Sequence, residues 1–384
     1  MHWKSVSRFI LIVVMLFSLV GCWNYREVDE VLTVAGIAID KGEDNKIVLT
    51  AEIIDLSGGE DTMHTSSELI TQSGHTMFEI VRRMITESGK KLYWAHAKSI
   101  IMSEEISRSG AAKVIDWYAR DTETRSDIHI LVAGGTSARA ILESKKESDP
   151  PLSYKIVDVL KNEVSISTSP VTEIWEFVDT INTPGISSIL PMIYISDNNG
   201  KKKAAVSGLA IFDMDRMLGK MDHNKAKYVL FLRNKIKGGI LSLGGYNDPP
   251  AITLEIFSNK TEIEPVLMNG NIEVRVKTHT VTAVDEVQSE ADFYTDKGRS
   301  EIERMAEEML EHEMLNVIEI AQKQYQQDLF GFGREIHKKY PKQWRKLKTQ
   351  WDENFSQLKV TVQSKVVIKN TASTIRPIII EEED

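Results

Sequence analysis

The residue with the most definite chemistry is Cys22, the only cysteine of the chain, at the end of Leu19-Val20-Gly21-Cys22. A thiol in that setting looks like a bacterial lipobox cysteine, which receives a diacylglycerol and becomes the new N-terminus. Lys4 and Arg8 supply a positive start, and residues 9–20 are apolar apart from Ser18. That run has the length of a signal-peptide core and falls short of the ~20 residues a spanning helix needs. Residues 1–21 are therefore expected to be a lipoprotein signal peptide, and Cys22 the lipid attachment site. Each buried methylene contributes about 0.8 kcal/mol, so two acyl chains hold stably where one is marginal. The competing reading is an uncleaved signal anchor with an incidental cysteine. With no second cysteine the chain has no intramolecular disulfide and no cysteine-based metal or catalytic site.

Other catalytic chemistry is hard to find. His312-Glu313 begins a zinc-binding H-E-x-x-H, but the second histidine position holds Asn316. His312 is then a solvated helix residue, and no other histidines pair at metal spacing. The chain has no G-x-S-x-G elbow and no phosphate-binding G-x-x-x-x-G-K-[ST] loop. Gly331 and Gly333 follow a helix rather than a strand, which is wrong for a dinucleotide fingerprint. They read as glycines that end the long helix and turn the chain. The expectation is a protein that is not an enzyme, with no metal and no cofactor.

Two charged clusters remain. Residues 116–127 pack four acids and two arginines around a helix end, with Asp116 and Arg120 at i, i+4 in the favourable order. One reading is a solvated helix end with its own ion pairs. The other is a subunit-contact patch of Arg120, Asp121, Glu123 and Arg125, whose arginines clamp carboxylates bidentately. Residues 334–348 hold seven basic residues and one acid, and Trp344, Leu347, Trp351 and Phe355 then recur at helical spacing. That face either lies on an anionic membrane or is packed core.

The elements that must position these groups alternate between strand and helix. Residues 31–40 and 46–55 are β-rich runs joined by a polar turn, a hairpin signal. Residues 66–77 read as a loop and a helix start. Met77, Ile80, Val81, Met84 and Ile85 then form one helical stripe. Residues 95–103 read as a strand, 111–121 as a helix, and 127–135 as a strand ending in glycines. Residues 143–151 are a loop. Residues 196–203 carry the strongest linker signal, polar and glycine-containing, and place a domain boundary there: 22–200 and 201–384. Beyond it, residues 204–212, 225–232, 251–257 and 271–284 read as strands. A long helix begins at Ser300, with Ser300 and Glu303 matching a capping box. Its six acids (Glu301, Glu303, Glu307, Glu308, Glu311, Glu313) suit the helix dipole in the first turn and are solvated beyond it. Ala306, Leu310, Met314, Val317, Ala321 and Tyr325 form its apolar stripe. A terminal strand alternates Leu358, Val360, Val362, Val366 and Ile368 against Lys359, Thr361, Gln363, Lys365 and Lys369. The fold class is α+β, with mixed strands and helices in two or three domains.

The composition, 42% apolar and 27% charged, is that of a globular protein. A formal net charge of -9 argues against nucleic acid as a partner.

The blocks GCWNYREVDE, KKLYWAHAKSIIMSEEI, DWYARDTETR, GLAIFDMDRMLGKM and DLFGFGREIHKKYPKQWRKLKTQWDENF occur in that order. Together they resemble the Ger(x)C family, the lipoprotein C subunits of spore nutrient germinant receptors, over essentially the whole chain. Cys22, Trp23 and Arg26-Glu27 fit its opening block, with Asn24 where the family often has aspartate. Leu92, His96 and Lys98, then Arg120, Asp121, Glu123 and Arg125, fit the next two. Gly208, Ala210, Phe212, Leu218 and Gly219 fit the fourth; Asp328, Gly331, Gly333, Trp344 and Trp351 fit the last. The resemblance implies an α+β body tethered to the outer face of the spore inner membrane and assembled with the A and B membrane subunits of the same receptor. It implies no catalytic activity. A solute-binding lipoprotein of an importer shares the anchor, but would show two doubly wound lobes around an aromatic-lined cleft.

Overall fold

The computed structural model describes residues 30–55, 66–145, 149–244, 252–287 and 295–370, with Trp3, Val6, Ser7 and Phe9. Cys22 lies outside the described residues.

β1 (Val31–Lys41) and β2 (Ile47–Asp55) form the expected antiparallel hairpin, with Ile37 opposite Ala51. β3 (Ser66–Gly74) extends the sheet beside β2, replacing the expected loop. Its apolar alternation is weak because polar pairs do the cross-strand work. Ser67 Oγ donates to the buried Glu52 at 2.8 Å, and Thr71 shares a hydroxyl hydrogen bond with Thr50 at 3.0 Å. α1 (Met77–Ser88) follows, capped by Thr76, and ends at Gly89 in the left-handed region. Met77, Ile80, Val81 and Met84 are its buried stripe.

Next come β4 (Lys91–Tyr93), β5 (Ser99–Ser103), α2 (Glu104–Gly110), α3 (Ala112–Arg120), β6 (His129–Ala133), α4 (Ala138–Glu143), α5 (Leu152–Ile166) and α6 (Ile174–Ile181). The strand expected over 95–103 thus begins only at Ser99. β7 (Ile189–Asn198), β8 (Lys201–Asp213) and β9 (Arg216–Met221) complete a nine-stranded sheet ordered β3-β2-β1-β5-β6-β7-β8-β9, with β4 on β1. Its centre, β1-β5-β6-β7, is parallel and covered on both faces, so these strands are short apolar runs. Ile37, Ile39, Ile100, Ile130 and Val132 pack with α1, α3 and α6; Ala38, Ile101 and Leu131 pack with α4 and α5. Two carboxylates on this sheet cap helices on that second face. Asp40 accepts the N–H groups of Ala138 (2.7 Å) and Arg139 (2.9 Å), and Glu52 those of Leu152 (2.7 Å) and Ser153 (2.9 Å).

Residues 196–203 are the tip of the β7–β8 hairpin rather than a linker. Ser196 pairs with Lys203, and Asn199 and Gly200 turn the chain at φ 56° and 77°. A polar Asn-Gly tip is also the signature of a two-residue hairpin. The chain therefore crosses residue 200 inside one sheet, and strand pairing parts only between Met221 and Ile240.

The second sheet follows α7 (His223–Leu232), a helix where a strand was expected. The apolar run 228–232 fits either period, and the deciding signal is Asp222, which accepts the Lys225 N–H at 3.1 Å as an N-cap. β10 (Ile240–Leu243), β11 (Ile252–Met268) and β12 (Asn271–Val287) are antiparallel; β13 (Val360–Asn370) lies parallel to β12 at the sheet edge. The crossover from β12 to β13 is α8 (Asp296–Ile320), a π turn (Ala321–Tyr325), α9 (Phe332–Lys339), α10 (Pro341–Leu347) and α11 (Trp351–Ser356). α8 begins at Thr295, whose Oγ1 accepts from Gly298 N, so the Ser300–Glu303 capping box does not form. Its stripe packs on the sheet as expected, and Trp344, Trp351 and Phe355 are buried. The tryptophan face is core, not a membrane surface. Among the described residues no helix is long and apolar enough to cross a membrane.

Candidate subunit-contact surface

The charged cluster sits where α3 ends. Val114, Ile115 and Tyr118 turn into the core, which leaves Asp116 and Arg120 on the outer face, paired Nε to Oδ2 at 2.7 Å. Asp121 leaves the helix in extended backbone, and its Oδ1 accepts the Glu123 N–H at 2.8 Å, an Asx turn. Thr124 Oγ1 donates to the carbonyls of Tyr118 (2.5 Å) and Asp121 (2.8 Å) and pins the loop to the helix end. Arg125 meets Asp127 fork to fork at 2.8 and 2.7 Å. That hydrogen bonding holds the Asp127 carboxyl below its ordinary range.

Beneath the charges is an aromatic layer. Trp117 stands edge-on to Trp94 at 5.2 Å and to Tyr118 at 5.5 Å. Tyr118 is fully buried, and burial pushes its phenol up to about 12. Burial likewise lowers the His129 imidazole. The loop therefore rides on a rigid base.

All four expected patch residues lie on this one surface. Glu123 also reaches Lys91 at 2.5 Å, and Lys91 pairs with Val31, the first residue of β1. The patch is thus beside the point where the folded body begins. Each arginine is engaged by an acid of its own chain, as the helix-end reading expects. Arg120 retains 77% and Arg125 58% side-chain exposure, however, so solvent screens both pairs.

Elsewhere, His312 is exposed on α8, and among the described residues no three metal-ligating side chains come together. The centre that sequence reasoning missed is Asp328. It is 1% exposed and accepts four backbone N–H groups, from Phe330 (3.1 Å), Gly331 (2.8 Å), Phe332 (3.1 Å) and Gly333 (2.8 Å), and Trp351 Nε1 at 3.2 Å. Burial pushes its carboxyl up to about 6 against these donors. The glycines do turn the chain, but around this carboxylate, with Gly331 at φ 83° capping α9. The loop clasps the two halves of the body. Ser187 N donates to Asp328 O at 2.7 Å, and the Arg233 guanidinium donates to Leu329 O and Ser187 O, each at 2.5 Å. An aspartate before G-x-G at a helix start was the available signal.

Comparison with known proteins adds whole-chain likeness. Residues 24–195 match the family model described as spore germination protein N-terminal domain, and 207–372 match that of the spore germination B3/GerAC-like C-terminal domain. Spore germination protein KC of Bacillus subtilis (strain 168) is 26% identical, covering 97% of this chain and 98% of that protein. Spore germination protein B3 of the same organism is 24% identical over 92% and 95%. The crystal structure of the GerBC protein shares the fold, with TM-score 0.58 and 22% identity over 87% of this chain and 97% of that one.

Proposed function

Because the chain belongs to the Ger(x)C family of spore germination proteins, we propose that it is the lipid-anchored, non-catalytic C subunit of a nutrient germinant receptor. The observation that carries the reading is the ordered match of both family domains, beginning two residues after the sole cysteine. In this reading the Cys22 lipid holds the body on the outer face of the spore inner membrane. The A and B membrane subunits of the same receptor are its partners, and the surface of Arg120, Asp121, Glu123 and Arg125 docks on them.

The geometry supports this assignment in two ways. The patch adjoins the start of β1, and nine residues from Cys22 to Val31 span at most about 30 Å, which keeps it near the membrane. The two halves are clasped through Asp328, so the body is built to transmit position rather than to open around a solute. The test is to isolate the tagged chain from spore membranes in detergent. Two membrane-embedded subunits should co-purify in fixed ratio; recovery of the chain alone would contradict the reading.

A further inference from the structure

Where the two halves meet, a cavity of about 190 Å³ lies between the end of α5, the start of α6 and the end of α7. Its charged lining is unevenly matched. Glu176 is taken by Lys235 at 3.1 Å. Glu163 accepts the N–H groups of Thr168 (3.0 Å) and Ser169 (3.1 Å) and the Thr168 hydroxyl at 3.2 Å. Arg233 and Lys237 line the same cavity, and among the described residues neither has an ion pair. A guanidinium carries five N–H donors. In Arg233, Nε and Nη2 give one each to the carbonyls of Leu329 and Ser187, both at 2.5 Å, which leaves three without an acceptor among the described residues. Nη1 is unpartnered but not enclosed, and this cavity is the space that Arg233 lines. Burial pulls the group down to about 10, so it stays charged at neutral pH.

The rest of the lining narrows the ligand. The hydroxyls of Ser167, Ser169 and Thr172 donate to the carbonyls of Gly238 (2.9 Å), Gly208 (2.8 Å) and Ile189 (3.2 Å), so they are not free to donate to a sugar. Ile189 and Leu230 are buried there, and Val171 is 39% exposed, which gives the cavity an apolar side. A free guanidinium edge matches a planar carboxylate, taking both oxygens at once. The volume is below the ~300 Å³ at which pockets for drug-sized ligands begin. We propose that this cavity binds a small carboxylate, its oxygens on Arg233 and Lys237 and its carbon end against Val171 and Leu230.

Occupancy acts on the junction. Arg233 ties Ser187, just before β7, to Leu329 in the Asp328 loop. A part-buried cation held only by neutral carbonyls is costly, and a carboxylate on its free edge supplies the missing opposite charge. The ligand therefore braces the two halves rather than opening them. A ligand bound by the folded chain alone raises stability with its concentration, and protection should rise on both sides of the clasp. The cavity shares no residue with the Arg120–Arg125 patch, so the two are tested separately.

The test melts the full-length chain in detergent with sodium acetate, propionate or benzoate, against sodium chloride at the same ionic strength. At least one carboxylate should raise the melting temperature saturably and slow hydrogen exchange at both 185–188 and 328–334. Propylammonium chloride and sodium phosphate should do no more than sodium chloride. Lys237→Glu reverses an exposed side chain outside the clasp, and Val171→Trp fills the cavity. Each should raise the concentration needed for half the response at least fivefold. Lys202→Glu, on the distant β7–β8 hairpin tip, should leave that concentration unchanged. No saturable carboxylate effect, or an equal effect of propylammonium or phosphate, would overturn the proposal. So would a response indifferent to both Lys237→Glu and Val171→Trp, or one weakened as much by Lys202→Glu.

Discussion

The Glu307 carboxylate on α8 accepts the backbone N–H of Val366 on the edge strand β13 at 3.0 Å. Glu303 does the same for Ile368 and Glu311 for Ser364, each at 2.8 Å. Three glutamates at i, i+4 and i+8 thus occupy the ladder positions that a further strand would use. An open edge is a template for association with another chain. These acids are edge protection rather than the solvated face expected from the sequence.

Replacing Glu303, Glu307 and Glu311 together by alanine should therefore lower stability by about 2–4 kcal/mol, allowing for their partial exposure. It should also promote association through β13. Glutamine at the same sites keeps an acceptor and should lose less. Melting temperature and light scattering check both effects. A monomeric alanine variant with unchanged melting would remove the edge-protection role.

Asp328→Asn keeps the shape but turns an amide donor toward backbone donors. At least one buried N–H then loses its acceptor, for a cost of about 1–3 kcal/mol per unpaired group in urea denaturation. The aspartate also gives a pH signature. Its carboxyl is held at about 6 against an ordinary 3.8, so between those values the folded chain binds more protons than the unfolded chain. Stability contributed there is present at the acid end and falls as pH rises toward 6. Asp328→Asn should flatten that slope, and an unaltered slope would assign it to other groups.

Gly333 and Gly185 bring the halves of the body into backbone contact. A Cβ on Gly333 would stand 2.6 Å from Gly185 Cα and 2.8 Å from Trp351. Gly333→Ala should destabilise by about 1–3 kcal/mol as an overpacked contact. It should also weaken protection from hydrogen exchange at both residues 185–188 and 328–334. Loss confined to one side would mean that the clasp does not couple the halves.

Arg120→Glu with Arg125→Glu should leave the melting temperature close to the native value, since both are exposed pairs screened by solvent. Co-purification with the membrane subunits should fall at least fivefold. Equal loss of folding and assembly would return the cluster to a helix end with its own ion pairs.

The sequence made these sites legible to different depths. The periodic segments were readable: the β1–β2 hairpin, the α1 stripe, the α8 stripe and the alternation of β13 each face a core as their spacing requires. β3 was not readable, because its one buried side chain is the polar Ser67 and its adjacent apolar residues Leu69 and Ile70 are only partly buried, on opposite faces of the sheet, so no apolar alternation shows. α7 was ambiguous, because its run of consecutive apolar residues fits either period. The charged patch was visible as a cluster and the Asp116–Arg120 pair followed from helical spacing, but the Arg125–Asp127 pair is set in the loop that Thr124 pins. The glutamate ladder is tertiary, whereas Asp328 takes its backbone donors from the loop two to five residues on. Nothing local marks a carboxylate whose partners lie on a strand more than fifty residues away.

The most direct measurement is dipicolinic acid release from spores lacking this gene, across a panel of amino acids and sugars, beside spores carrying the wild-type gene or Cys22→Ala. The account predicts selective loss of response to one nutrient set, restored by the wild-type gene and not fully by Cys22→Ala. An unchanged response to every nutrient in the deletion strain would contradict a receptor subunit needed for germination. Full rescue by Cys22→Ala would remove the lipid from the mechanism.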